Sequence, residues 1–178
     1  MSLKHHFELM AHYNQWMNDQ LYEAAAQLDN YSLMLDRGAF FGSILGTLNH
    51  ILVGDTLWLQ RFARHGQTLE SLQPMLDIPT PGSLDAALYD TLEELYGARR
   101  MRDNLIIAFS QEADDSHYLA PLRYRNSKQQ LFEKQFGYLV QHFYNHQTHH
   151  RGQVTTLLSQ VGIDVGITDL LALVPEFE

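Results

Sequence analysis

Apolar residues recur along this chain at three- and four-residue intervals in four long stretches, and hardly any stretch alternates strictly. In the first, Phe7, Met10, Tyr13, Met17, Leu21, Ala25 and Leu28 fall on one stripe, which predicts an amphipathic helix over about 3–28. Asp29-Asn30-Tyr31-Ser32 interrupts that stripe. After a loop through Arg37-Gly38, a second helix is predicted from a Ser43 N-cap to Arg64, stopped by Gly66 with His65 at the negative end of the helix dipole. Pro74, Pro79 and Pro81 make 66–82 an extended crossover, and a long connection lets consecutive helices run parallel. Ser83 is the expected cap of a third helix reaching about Ser110, with Leu84, Leu88, Leu92, Leu95, Leu105, Ile106 and Phe109 on its buried side. Residues 114–128 read as irregular, with a weak alternation at Leu122-Arg123-Tyr124-Arg125 that allows one short hairpin. A fourth helix is expected over about 129–161 and stops at Gly162, and the tail, carrying Leu170, Leu171, Leu173 and Val174, is expected to pack back on the others. The fold class that follows is all-α, a four-helix bundle with a long crossover connection, with residues 1–178 forming a single domain.

Composition narrows the function classes. At 178 residues and 45% hydrophobic content the chain can bury a core without staples. It has no cysteine, which removes disulfides, thiolate ligands and Cys nucleophiles and fits a cytoplasmic location. The N-terminus enters an amphipathic pattern rather than a signal-peptide core. The most apolar window, Ala39 to Leu59, is interrupted by Asn49, His50 and Asp55, so a buried helix is expected and no membrane span. Net charge is −9, from 12 basic and 21 acidic residues, and the densest basic run is Arg99-Arg100-Met101-Arg102. Nucleic acid is therefore not an expected partner, since affinity for phosphate backbones needs clustered cations. The short arginine run reads as a solvated helix face, with reception of an anionic substrate as its alternative.

The chemistry concentrates in the fourth stretch, where His142, His146, His149 and His150 place four imidazoles within nine residues. A helix advances about 100° per residue, so His146 and His150 lie about 40° apart on one face, the spacing that zinc-binding helices use. His142 and His146 share it, whereas His142 and His150 are about 80° apart and do not easily join one ion. A pH-sensitive surface or a helix interface is the bland reading. Against it stand Phe136, Leu139, Val140, Phe143, Val154, Leu157 and Leu158, which make the helix apolar enough to turn some imidazoles inward. A third ligand must come from another helix, where His50 in the second and His12 in the first compete. Gly54, one turn beyond His50, leaves room there, while Asp55 points away. A thermolysin-like peptidase is excluded because Gln147 stands where H-E-x-x-H needs its glutamate. A ferritin-like di-iron centre fails for want of a Glu-x-x-His pair. What remains is a mononuclear site for a divalent ion: zinc, nickel, cobalt or iron(II). Asp55, Tyr144 and Arg151 are candidates for a base beside it, and Gln153 for a hydrogen bond to a ligand imidazole.

The stretches Tyr13-Asn-Gln-Trp16-Met-Asn18, Gly42-Ser-Ile-Leu-Gly-Thr-Leu-Asn-His50-Ile-Leu-Val-Gly-Asp55-Thr-Leu-Trp58, Asn145-His146-Gln-Thr-His149-His150-Arg-Gly-Gln153 and Gly162-Ile-Asp164-Val-Gly-Ile-Thr168-Asp169 together resemble the DinB (damage-inducible) family. The resemblance spans nearly the whole chain. It implies a DinB/YfiT-like bundle, often a homodimer, with a divalent metal on three histidines that map onto His50, His146 and His150. Function is carried less far. Relatives in the wider superfamily include a mycothiol-dependent isomerase and bacillithiol transferases, which implies a metal-dependent transferase or isomerase acting on a small-molecule substrate with a low-molecular-weight thiol. A metal-dependent hydrolase and a non-catalytic metal-binding stress-response protein are the alternatives.

Overall fold

The computed structural model describes residues 2–176. In chain order the elements are α1 (Leu3–Ala25), the short α2 (Asn30–Met34), α3 (Ile44–Phe62), a 3-10 helix (Glu70–Asp77), α4 (Leu92–Glu112) and the short α5 (Asp115–Leu119). A hairpin of β1 (Pro121–Arg125) and β2 (Leu131–Gln135) follows, then α6 (Phe136–Gln160) and a 3-10 turn (Leu170–Leu173). Local chemistry sets the helix starts. Ser2, Ser43 and Thr91 each accept a backbone N–H of the first turn, and Asp29 and Asp114 do the same for the short helices. Gly162, at φ +81°, closes α6 with the left-handed residue such ends favour.

The four long helices form an all-α bundle. Asp55 meets Arg99 and Phe62 meets Phe109, so α3 and α4 run parallel, as the long crossover between them allows. Gly54 faces His146 while Phe62 packs on Phe136, so α6 runs antiparallel to α3. No helix among the described residues is long and apolar enough to cross a membrane.

The core divides into two apolar clusters. One gathers Phe7, Met17, Phe62, Phe109, Phe136 and Phe143, the other Leu21, Ile44, Leu48, Leu95, Val154 and Leu158. Between them along every long helix lies a buried polar layer: Asn14 and Asn18 from α1, Asp55 from α3, Arg99 and Asp103 from α4, Gln147 and Arg151 from α6. Arg99 pairs with Asp55 and with Asp103, the latter at 2.9 Å. The Gln147 amide donates to Asp55, the Asn14 and Asn18 amides each donate to Asp103 at 3.0 Å, and Arg151 donates to Asn14. Two anions and two cations therefore share one interior. Burial raises the Asp103 carboxyl and Arg99 opposes that shift; burial also pulls Arg151 down to about 10, still charged at neutral pH.

Several expectations are corrected. The third helix begins at Leu92, not after Ser83, and 83–91 is irregular because Thr91-Leu-Glu-Glu94 supplies the stronger start: Thr91 Oγ1 accepts from the Glu94 N–H and donates to its carboxylate. The crossover holds a 3-10 helix with Pro74 inside it, which the looser hydrogen-bond demand of a short segment tolerates. The hairpin is real and pairs Pro121 with Gln135 through Arg125 with Leu131, so β2 occupies the first residues assigned to the fourth helix. Arg99 and Arg102 are buried rather than solvated, and of the three arginines only Arg100 is exposed. In the tail, Leu170 and Leu173 pack on the core while Leu171 and Val174 face outward.

Candidate metal centre

His50 lies in the second turn of α3, and His146 and His150 one turn apart in α6. The antiparallel packing of these helices brings the three rings together. His50 Nε2 is 3.2 Å from His146 Nε2 and 3.1 Å from His150 Nε2. His50 and His150 are buried and His146 half-buried, and this is the cluster of potential ligands that the described residues form. The other candidates fall away. His12 and His149 are exposed, and His142 turns to pack edge-on against Trp58 with ring centroids 5.1 Å apart.

Hydrogen bonding decides which nitrogens are bare. His50 Nδ1 lies 2.7 Å from the Leu84 carbonyl oxygen, which can only accept, so Nδ1 carries the proton and Nε2 a lone pair. Gln153 Oε1 sits 2.8 Å from His150 Nδ1 and imposes the same tautomer. Two lone pairs thus face each other at 3.1 Å, a repulsive arrangement unless a cation lies between them. Zinc–nitrogen bonds of about 2.0–2.1 Å at tetrahedral angles separate ligand nitrogens by about 3.3 Å, close to what is seen here. The donor set fits a divalent ion of intermediate softness, with imidazole nitrogens and no thiolate. Protonation is disfavoured in the same place. Burial pushes His146 down to about 3, helped by its two neighbours, and holds His50 and His150 below the usual imidazole value.

Three features around the rings were not legible in the chain. Phe41 stacks on His50 at 3.7 Å between centroids and meets His150 edge-on, covering one side. The Leu84 carbonyl comes from the stretch taken for helix. Asn49, next to His50, accepts the backbone N–H groups of Leu88 and Tyr89, which fastens that stretch to α3. Gly54 does not leave empty space as expected; the His146 ring occupies it, and a Cβ there would lie 2.6 Å from His146 Cε1. Asp55 points away from the three rings. It is wholly buried in the polar layer, where Gln147 is its partner, so the residue replacing the catalytic glutamate holds α6 to α3. Tyr144 is core, and Arg151 points into the layer rather than to the imidazoles.

The open side of the cluster leads into a cavity of about 590 Å³ whose lining includes His50 and His146 but not His150. Comparison with known proteins agrees with the architecture. A family model described as DinB family matches residues 1–175. The chain belongs to the DinB family. It is similar to Protein DinB of Bacillus subtilis (strain 168), at 26% identity over 157 residues covering 88% of this chain and 87% of that protein. No solved structure matches it. Among the residues of this DinB-family chain, the three-histidine group could hold a metal ion.

Proposed function

We propose that this protein binds one divalent ion, zinc or nickel foremost, through Nε2 of His50, His146 and His150, and works as a metal-dependent transferase or isomerase on a small molecule together with a low-molecular-weight thiol. The observation that carries the metal is the convergence of three Nε2 atoms, two of them on rings, His50 and His150, fixed as Nδ1–H tautomers by Leu84 and Gln153. The thiol rests on the family resemblance and on the cavity beside the rings, which has the volume of a small-molecule site. A bound divalent ion supplies Lewis acidity, which lowers the pKa of a ligating thiol or water. The chain's own part is to orient three rings, to cover one side with Phe41 and to leave the cavity side accessible. Hydrolysis is the weaker reading, since among the described residues no carboxylate lines the cavity to serve as a base and Gln147 is turned away on Asp55. A homodimer and a cytoplasmic location belong to the same proposal, supported by the resemblance and by the cysteine-free composition.

Metal content of untagged protein purified without chelators tests the ligands. Alanine at His50, His146 or His150 should empty the site, and alanine at His142, His149 or His12 should not. A full site in His150→Ala with an empty one in His142→Ala reverses the assignment. For the reaction class, a cobalt-loaded sample should gain sulfur charge-transfer bands on addition of glutathione, bacillithiol or mycothiol. Indifference to all three moves the reading to the hydrolase or to a non-catalytic metal protein.

A further inference from the structure

Among the described residues, the cavity beside the three histidines is lined by Arg61, Arg64 and Arg125 and by no carboxylate. In a chain with 21 acidic and 12 basic residues, three cations converging on one small volume without an anion set it apart from the rest of the surface. None of the three takes part in an ion pair among the described residues. Arg61 is half-buried, and its guanidinium lies over Trp58 at 4.6 Å and over Tyr124 at 5.4 Å. Aromatic rings take the faces of a guanidinium and leave its N–H edges free to donate. Arg64 and Arg125 each spend one N–H on a backbone carbonyl, of Gln60 and Gln129 respectively, and a guanidinium has five.

The walls that carry these side chains are built rather than loose. Gln60 donates to the Met75 and Ile78 carbonyls and accepts from Thr80, which fixes the proline-rich crossover along α3. On the other side the hairpin loop contributes Arg125, Asn126 and Gln129, with Gln129 held at φ +60° and its carbonyl on Arg125. Arg64 and Arg125 are exposed, whereas Arg61 is half-buried and unpaired, so its desolvation is a cost that an anion would offset.

We infer that Arg61, Arg64 and Arg125 form an oxyanion subsite, so that the small molecule acted on here carries a carboxylate or phosphate group held at the arginines while its reactive end lies against His50 and His146. This rests on the metal-site reading for what happens at the reactive end, but the subsite itself does not require the metal. The arginines needed for an anion are therefore not those of the 99–102 run, two of which lie buried.

The test is calorimetric and NMR titration of full-length protein, both chelator-treated and zinc-loaded, with succinate, methylphosphonate and neutral succinamide. Succinate or methylphosphonate should bind in both forms, weaken with added salt, and perturb the Arg61 and Arg125 side-chain signals, while succinamide should not. The stronger of the two anions tells carboxylate from phosphate chemistry. Arg61→Met and Arg125→Gln should each weaken that anion by about tenfold, and the exposed Arg100→Gln on α4 should leave it unchanged. Melting curves establish that each variant is folded. If neither anion binds better than succinamide, or if anion affinity in Arg61→Met and Arg125→Gln stays within twofold of the parent, the subsite is wrong. Failure of the metal reading shows separately, as zinc that does not load while the anion still binds.

Discussion

Gly54→Ala separates the metal centre from the stability of the fold. A Cβ at this position would stand 2.6 Å from His146 Cε1 and 3.2 Å from Nδ1. Carbon atoms in ordinary contact keep about 3.5–4.0 Å, so the ring must retreat by roughly 1 Å. Metal–ligand distances tolerate only about 0.2 Å, and His146 cannot hold its Nε2 in register with the other two. The atom struck is the far end of a half-buried side chain, which can swing toward the cavity without disturbing backbone. Alanine also gains about 0.8–1.0 kcal/mol over glycine inside a helix. The chelator-treated variant should therefore melt no lower than the parent, while zinc affinity falls by at least the 10–100-fold that lesser disturbances around a ligand histidine cause. Gly97→Ala and Gly152→Ala are the controls, because a Cβ at either meets nothing within 4 Å. Both should be as stable or more stable and bind zinc as before. Competition with a chromophoric chelator at pH 7.5 gives the affinity, and thermal melts with and without chelator give the stability. Parent-like zinc binding by Gly54→Ala, or zinc loss in Gly97→Ala, would refute the reasoning.

Three further outcomes are expected. Free zinc at a hundredfold above Kd adds about 2.7 kcal/mol to the folded state, so chelation at pH 8 should lower Tm by about 5–10 °C for a chain of this size while circular dichroism stays helical; collapse of helicity on chelation would show that the two apolar clusters do not suffice. His50, His146 and His150 are held below the usual imidazole value, so the unfolded chain takes up protons that the folded one refuses, and the metal-free protein should lose stability as pH falls below about 6.5; bound zinc should be released in the same window, and a pH-independent metal-free Tm between pH 7.5 and 5.5 contradicts this. Arg99→Met leaves Asp55 and Asp103 buried without their cation and should cost about 3–5 kcal/mol in urea unfolding, well beyond Asp55→Asn, which keeps the Arg99–Asp103 pair; a loss under about 1 kcal/mol for Arg99→Met would mean the layer is solvated.

Periodicity revealed the four long helices because each presents a continuous apolar stripe to its neighbours, and α1, α3 and α6 end within a few residues of where the stripes end. The third helix was misplaced at its start because Leu84 and Leu88 continue the stripe into a segment held by Asn49 and His50 rather than by helix hydrogen bonds. The overlooked signal was the Thr91…Glu94 pair, a capping pattern that Ser83 lacks. The hairpin was weak in sequence because β2 is almost wholly exposed and shows no apolar alternation.

The site was legible where ligand spacing along one helix sufficed, and illegible where it depended on what another segment brings. Helix geometry leaves the pairs His142/His146 and His146/His150 both open and favours His50 over His12, the family resemblance implies His50, His146 and His150, and in the structure His12 sits one residue off the buried stripe, beside Ala11 and Tyr13, while His50 lies on it. In sequence, Asp55 reads as a candidate base beside the metal, Arg99 as part of a solvated face and Gln147 as the amide that stands in place of a catalytic glutamate. Arg99 and Asp103 form a local i,i+4 pair, but the contacts of Asp55 with Arg99 and with Gln147 span tens of residues, so no local pattern announces the whole layer. Its placement gives it a second consequence. Gln147 lies between His146 and His150 in α6 and reaches Asp55, five residues after His50 in α3, so the same contact that hydrogen-bonds a buried carboxylate also sets the register in which the three imidazoles meet. A one-residue slip of α6 against α3 would take the Gln147 amide from Asp55 and separate the ligand nitrogens together, which ties the geometry of the metal centre to the cost of a buried carboxylate oxygen left without its hydrogen bond.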